Sequence, residues 1–191
     1  PTGMRHLTRA NLGLPEGHLV LMGQYLAKWM PSRDEMIRRI SERSANPIAL
    51  IAFGGPYQQR VLRTRFERNG IRVVPLPQLP FPIYLRLLEL VDVALDAPDF
   101  SGGHTTLMTL QGGTPVVTLP GDTMRSRQGL AFLARAGAPE LVARDEDDYV
   151  DLATNLDRLR DATQAMSIDA LFDDVLPVRA LEEHIRVSVT I

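Results

Sequence analysis

SGGHTTLMTLQGGTPVVTLPG, from Ser101 to Gly121, decides how the rest of the chain is read. It follows VDVALD (Val91 to Asp96), a largely apolar run that suits a strand buried on both faces of a parallel sheet better than an alternating surface strand. Pro98, Ser101, Gly102 and Gly103 then break the strand and let the backbone turn sharply, with no Cβ on two successive residues to keep another group away. His104, Thr105 and Thr106 follow, backed by apolar Leu107, Met108 and Leu110, which is the pattern of a helix start. A helix N-terminus presents unpaired N–H groups and a partial positive charge, and two hydroxyls and an imidazole add donors for phosphate oxygens. The stretch therefore predicts a nucleotide diphosphate site. The plain alternative is an ordinary strand, loop and helix with a Thr N-cap, and a Gly-Gly loop alone does not decide between the two.

Composition sets wider bounds. A chain of 191 residues, 45% hydrophobic and 23% charged, is long enough to bury a full core and is expected to form one lobe over 1–191, with an opening segment (1–18) and a C-terminal helix and tail (177–191). The net charge of -2 gives no basic field, so nucleic acid is not expected as a partner. There is no cysteine, and His6, His18, His104 and His184 stand far apart, so no metal site is expected. No run approaches eighteen apolar residues and no leader-like segment opens the chain, which predicts no membrane span and a cytoplasmic location. Pro1 is not an initiator, so the chain is expected to come from something longer.

Twenty of the 21 basic residues are arginine, and Lys28 is the lone lysine. A compact ammonium reaches a single phosphate oxygen where a planar guanidinium does not fit, and chance survival on the surface is the alternative.

The remaining chain alternates strands and helices. Strands are expected at Leu19 to Gly23, Pro47 to Phe53, Ile71 to Leu76, Pro115 to Leu119 and, as a short last one, Ala138 to Ala143. Helices are expected after a Ser32 cap, after Gly54-Gly55 with Tyr57, Val61, Leu62 and Phe66 inward, and from about Ile83 once the prolines of PLPQLPFP are passed. Others cover 123–136, the run capped by Asp145 with Tyr149, Leu152, Leu156 and Leu159 on one face, and Pro177 to about Val187 with Leu181 and Ile185 packed inward. This is an α/β fold, a Rossmann-like parallel sheet with helices on both faces. Ligands in such sheets bind beyond the carboxyl ends of the strands where the strand order reverses, and the loops carrying Lys28 and His104 to Thr106 lie at such ends.

LVDVALDAPDFSGGHTTLMTLQGGTPVVTLPGDTMRSR (Leu90 to Arg127) resembles the donor-binding lobe of the O-GlcNAc transferase and SPINDLY-like glycosyltransferases. The resemblance extends to LGLPEGHLVL, AKWMPS around Lys28, GAPELVA and DDYVDLATNL, and so covers nearly the whole chain. It implies the C-terminal half of a two-lobed GT-B enzyme that grips a UDP-sugar while an N-terminal lobe faces a protein acceptor, inverting the sugar and using no cofactor. Lys28 falls where the family lysine meets the diphosphate, and Ser101 to Thr106 on the phosphate-binding turn. Leu79, Phe81 and Tyr84 fall on the segment that cradles uracil. Two departures stand out. Relatives place a ribose-binding acidic residue one turn after the HTT, where this chain has Met108, read here as a core side chain, and a glutamine or similar polar residue near Tyr25. Two other functions stay open: a non-catalytic lobe that has become a protein-interaction module, and another GT-B enzyme of UDP-sugars such as an epimerase or a lipid-linked sugar transferase.

Overall fold

A computed structural model describes residues 4–51 and 55–189. The end of the expected strand Pro47 to Phe53 and Gly54 lie outside the described residues, as do the first three and last two residues.

Five strands form one parallel sheet in the order β3-β2-β1-β4-β5: β1 (Val20–Met22), β2 (Ile48–Ile51), β3 (Val73–Leu76), β4 (Val93–Leu95) and β5 (Val116–Val117). Leu21 pairs with Ala49 on one side and Ala94 on the other, so β1 is the central strand from which the chain winds first one way and then the other. Every residue of β1, β2, β4 and β5 is buried, which is why these strands read as unbroken apolar runs. Leu19, Met36, Ile37, Ile40, Phe66, Leu87 and Leu133 belong to one contiguous buried cluster.

Eight helices accompany the sheet among the described residues: α1 (Asp34–Arg43), α2 (Pro56–Arg68), α3 (Phe81–Leu90), α4 (His104–Gln111), α5 (Gln128–Ala136), α6 (Glu146–Thr154), α7 (Leu156–Ala165) and α8 (Leu176–Val189). Helix α3 starts earlier than the prolines suggested, because Pro82 sits in its first turn, where the missing N–H has no intrahelical acceptor to lose. Ser32 does not cap α1. A 3-10 turn, Pro31–Arg33, runs into it without a side-chain cap.

The sixth strand expected at Ala138 to Ala143 is not formed. Pro139 opens a 3-10 turn, Pro139–Leu141, and a single bridge, Thr118 to Val142, is what remains of sheet pairing. The helix expected from Asp145 is two helices. Asp145 accepts from the Asp148 N–H and caps α6, but Asn155 then breaks the run and caps α7 by accepting from the Arg158 N–H. Tyr57 and Val61 are exposed on α2, while Leu62 and Phe66 face the core as expected. Helix α8 departs most: Leu181 is 58% and Ile185 51% exposed, so its apolar face is not packed into the core of the described residues.

An ion-pair seam ties α1 to α6 beside the sheet. Arg39 pairs with Asp147 at 2.7 Å, and Arg33 bridges Glu146 at 2.6 Å and Asp99 at 2.8 Å. Asp148 is held at about 2, chiefly by its hydrogen bond from Arg144. The acidic cluster from Asp145 to Asp148 is thus helix capping and ion pairing.

Candidate functional site

The site is built around the carboxyl ends of β1 and β4, neighbours that mark the point where strand order reverses. After β4 the chain reaches Asp96, fully buried. One carboxylate oxygen of Asp96 accepts from Gln24 Nε2 (2.7 Å) and the Gly102 N–H (2.6 Å), the other from the hydroxyls of Ser101 (2.6 Å) and Thr118 (2.6 Å). The Asp96 carbonyl accepts from the Tyr149 hydroxyl at 2.8 Å. Ser101 Oγ accepts in turn from the Gly129 N–H at 2.7 Å. One carboxyl group therefore fastens the loop after β1, the glycine turn, β5 and the start of α5. A buried group of this kind is stable only when its acceptor sites are filled, as they are here.

Gly102 lies in the tightest part of the turn. A Cβ there would meet Thr106 Oγ1, Gln24 Nε2 at 2.6 Å and Thr105 Oγ1 at 2.9 Å, so no larger residue fits without displacing the polar groups. Gly103 precedes α4 without a side-chain cap, and the first backbone bond of the helix runs from the Leu107 N–H to the Gly103 carbonyl. The N–H groups of His104, Thr105 and Thr106 thus have no intrahelical acceptor. Neither threonine is the N-cap: both lie inside the first turn. His104 is exposed, whereas Thr106 Oγ1 is buried and has no hydrogen-bond partner. A buried hydroxyl with neither protein nor solvent partner is uncommon and costs about 1–3 kcal/mol.

Lys28 ends the 3-10 turn Leu26–Lys28 after β1 and reaches this loop directly. Its Nζ donates to the Ser101 carbonyl at 3.0 Å and stands 4.3 Å from the centre of the Phe100 ring. Burial draws the Lys28 ammonium below the ordinary lysine range, and the negative charge of Asp96 pulls the other way. Beside it lies a cleft of about 500 Å³ whose walls include Tyr25, Met30, Asp99, Phe100 and Arg125.

The structure thus joins Lys28 to the Ser101–Thr106 segment. The side chain of Ser101 and the N–H of Gly102 are spent on Asp96 and Thr106 Oγ1 is buried, which leaves the helix-start N–H groups, exposed His104, half-buried Thr105 and the Lys28 ammonium, bound so far only to the Ser101 carbonyl, as the candidates to face a ligand. Leu79 is half-buried against the core, Phe81 is 56% exposed, and Tyr84 is buried with its hydroxyl pushed up to about 12 by burial. Those three do not line the Lys28 cleft, and neither do Ser101 to Thr106, which meet Lys28 through the Ser101 carbonyl instead. Met108 packs half-buried against the core, as read from the sequence. Among the described residues no three His, Asp or Glu side chains are grouped to hold a metal ion, and no helix is long and apolar enough to cross a membrane.

Asp96, Phe100 and Thr118 were not picked out from the sequence as site residues. The signal for Asp96 was an acid closing a buried strand, a position where a carboxylate needs several donors.

Comparison with known proteins places the chain as a whole. The family model of glycosyl transferase family 41 matches residues 1–173. The UDP-N-acetylglucosamine–peptide N-acetylglucosaminyltransferase of Caenorhabditis elegans is 34% identical over 163 residues, which are 82% of this chain and 14% of that protein. The probable SPINDLY enzyme of Petunia hybrida is 36% identical over 47% of this chain and 10% of its own length. Among solved structures, a mutant O-GlcNAc transferase of Thermobaculum terrenum superposes with a TM-score of 0.74 at 28% identity, covering 88% of this chain and 35% of that one. WaaG, a glycosyltransferase of lipopolysaccharide biosynthesis, superposes at 0.63 with 17% identity over 92% of this chain and 49% of that one, a likeness of fold. The chain therefore spans a minor part of the curated relatives it matches. Its fold is the Rossmann-like α/β lobe of GT-B glycosyltransferases, and with a family model running from the first residue through the site and on to residue 173, the chain belongs to glycosyl transferase family 41.

Proposed function

We propose that the chain is the donor-binding lobe of an inverting transferase that takes a UDP-linked sugar and passes it to a protein hydroxyl. UDP-GlcNAc is the donor named for its relatives. In this reading an N-terminal lobe is needed for activity, and the UDP-sugar is a substrate with no further cofactor.

The observation that carries the reading is the meeting of Lys28 with the helix-start loop, where Thr106 Oγ1 lies buried and unpartnered. In the transfer the bond from the sugar carbon to the distal phosphate oxygen breaks, a bond to the acceptor oxygen forms, and the hydroxyl proton leaves to a base. Negative charge builds on the departing diphosphate. The N–H groups at the start of α4, the positive end of its dipole and the Lys28 ammonium stabilise that charge from fixed positions, so little reorganisation accompanies the step. Because Lys28 is drawn out of water, its interaction with a phosphate is stronger than on an open surface.

Calorimetry with UDP and UDP-GlcNAc tests the reading, on this chain and on Lys28→Ala. Binding is expected for the chain and at least tenfold weaker for the variant. No heat with either ligand overturns it and favours the interaction-module alternative.

A further inference from the structure

A departing diphosphate carries more than one negative charge, and Lys28 supplies one positive charge. A second cation stands at the same aromatic ring. The Arg125 guanidinium carbon is 5.8 Å from the centre of Phe100, the ring that also lies under Lys28 Nζ. The backbone holds Arg125 there. It sits in the 3-10 turn Met124–Ser126, closed by a reciprocal Thr123 and Ser126 cap, and its carbonyl accepts from the Ser101 N–H at 2.9 Å. The turn that carries Arg125 is therefore stitched to the turn that precedes the helix-start site.

The charge pattern of the cleft singles out this residue. Arg33 also borders the region, but its guanidinium is committed to Asp99 at 2.8 and 3.1 Å and to Glu146 at 2.6 Å. That leaves Asp99 already engaged. Arg125 is exposed, lines the cleft with Lys28 and makes no direct ion pair among the described residues, although it attracts the Asp99 carboxylate through space. The neighbouring Arg127 does not line the cleft and donates to the Gly121 carbonyl. Asp96 and Asp99 offset part of the charge of the two cations, with Asp99 itself held by Arg33, and a planar guanidinium suits the paired oxygens of a phosphate.

We propose that Arg125 is a second phosphate-binding cation of this site, meeting the distal phosphate of a nucleoside diphosphate together with Lys28, with Phe100 as the platform that keeps both heads in place. The proposal rests on the donor-site reading above and adds a residue to it.

The test is calorimetry of UDP and UMP binding to the chain, to Arg125→Ala and to Arg127→Ala. Arg125 is exposed, so its removal leaves the core intact, and thermal unfolding of the variant checks this. The expected result is a tenfold or greater loss of UDP affinity in Arg125→Ala, UMP affinity within twofold of the parent, and no change in Arg127→Ala. Phe100→Leu is expected to lower UDP affinity by a smaller factor in the same ligand-selective way. UDP binding unchanged in Arg125→Ala overturns the proposal, as does an equal loss for UDP and UMP, while the donor reading stands in both cases. If the parent chain binds neither nucleotide, the donor reading itself fails and Arg125 falls with it.

Discussion

Helix α4 carries a glycine pair at each end, and the two pairs do opposite things. Gly102-Gly103 precedes it and Gly112-Gly113 follows it. Gly102 has an ordinary φ but no room: three polar side-chain atoms crowd the place where a Cβ would go. Gly113 has ample room, with nothing within 4 Å, but a φ of +82° that other residues adopt only with strain. The first pair lets groups come close, and the second lets the chain reverse. Their electrostatics differ as well. The leading end has unpaired N–H groups, Lys28 and Arg125. The trailing end borders a cleft of about 440 Å³ that includes Glu89, Asp92 and Arg160. That end has the negative pole of the helix, the wrong end for a phosphate, while its acids Glu89 and Asp92 are paired with Arg86 and Arg9. Identical dipeptides thus mark a crowded turn before a helix and a helix stop, and only their surroundings tell them apart.

The largest test of this contrast removes what holds the leading end. Asp96→Asn replaces an acceptor of four hydrogen bonds with an amide that turns donors toward donors, and a loss of about 3 kcal/mol is expected in urea unfolding. A loss under about 1 kcal/mol would mean that the turn is held by something else. Next, Gly102→Ala is expected to weaken UDP binding about a hundredfold, about 2.7 kcal/mol, because Thr105, Thr106 and Gln24 must move to admit the methyl group. Gly113→Ala should cost about 1 kcal/mol of stability and leave UDP affinity unchanged. If both alanines affected binding alike, the two pairs would not differ in role.

The smallest expected effect is on pH. Burial lowers the Lys28 pKa in the free chain, and a bound diphosphate favours the charged form. Above the second ionisation of the UDP phosphate, affinity should therefore be flat and then fall a few-fold as pH rises through the lowered Lys28 pKa, with proton uptake on binding in that range. Lys28→Arg, which stays charged, should flatten the profile. Titration calorimetry across pH in two buffers of different ionisation heat measures both.

The sheet and its crossing point were legible because continuous apolar strands and short loops leave few topologies, and the two site loops follow from topology alone. Lys28 was legible as the lone lysine. Other features depend on groups distant in sequence. Asp96 gains its role from Gln24, Thr118 and Tyr149, up to 72 positions away, and nothing local in VDVALD announces them. Phe100 reads as a loop residue until two cations are seen over it. The last strand failed because the apolar content of APELVA matched a strand while Pro139 favoured a tight turn. Helix α8 was correctly periodic, but periodicity says that a stripe exists, not that this chain covers it.

The Asp96 arrangement has a consequence for motion. The amides of Gly102 and Gly129 both end on it, one directly and one by way of the Ser101 hydroxyl. Opening either amide to water disturbs the same carboxyl group, so these two positions should exchange deuterium together, at one common rate, as a single cooperative patch. Nucleotide arriving at one side of that patch would then be registered at the root of α5, without any large shift of the sheet.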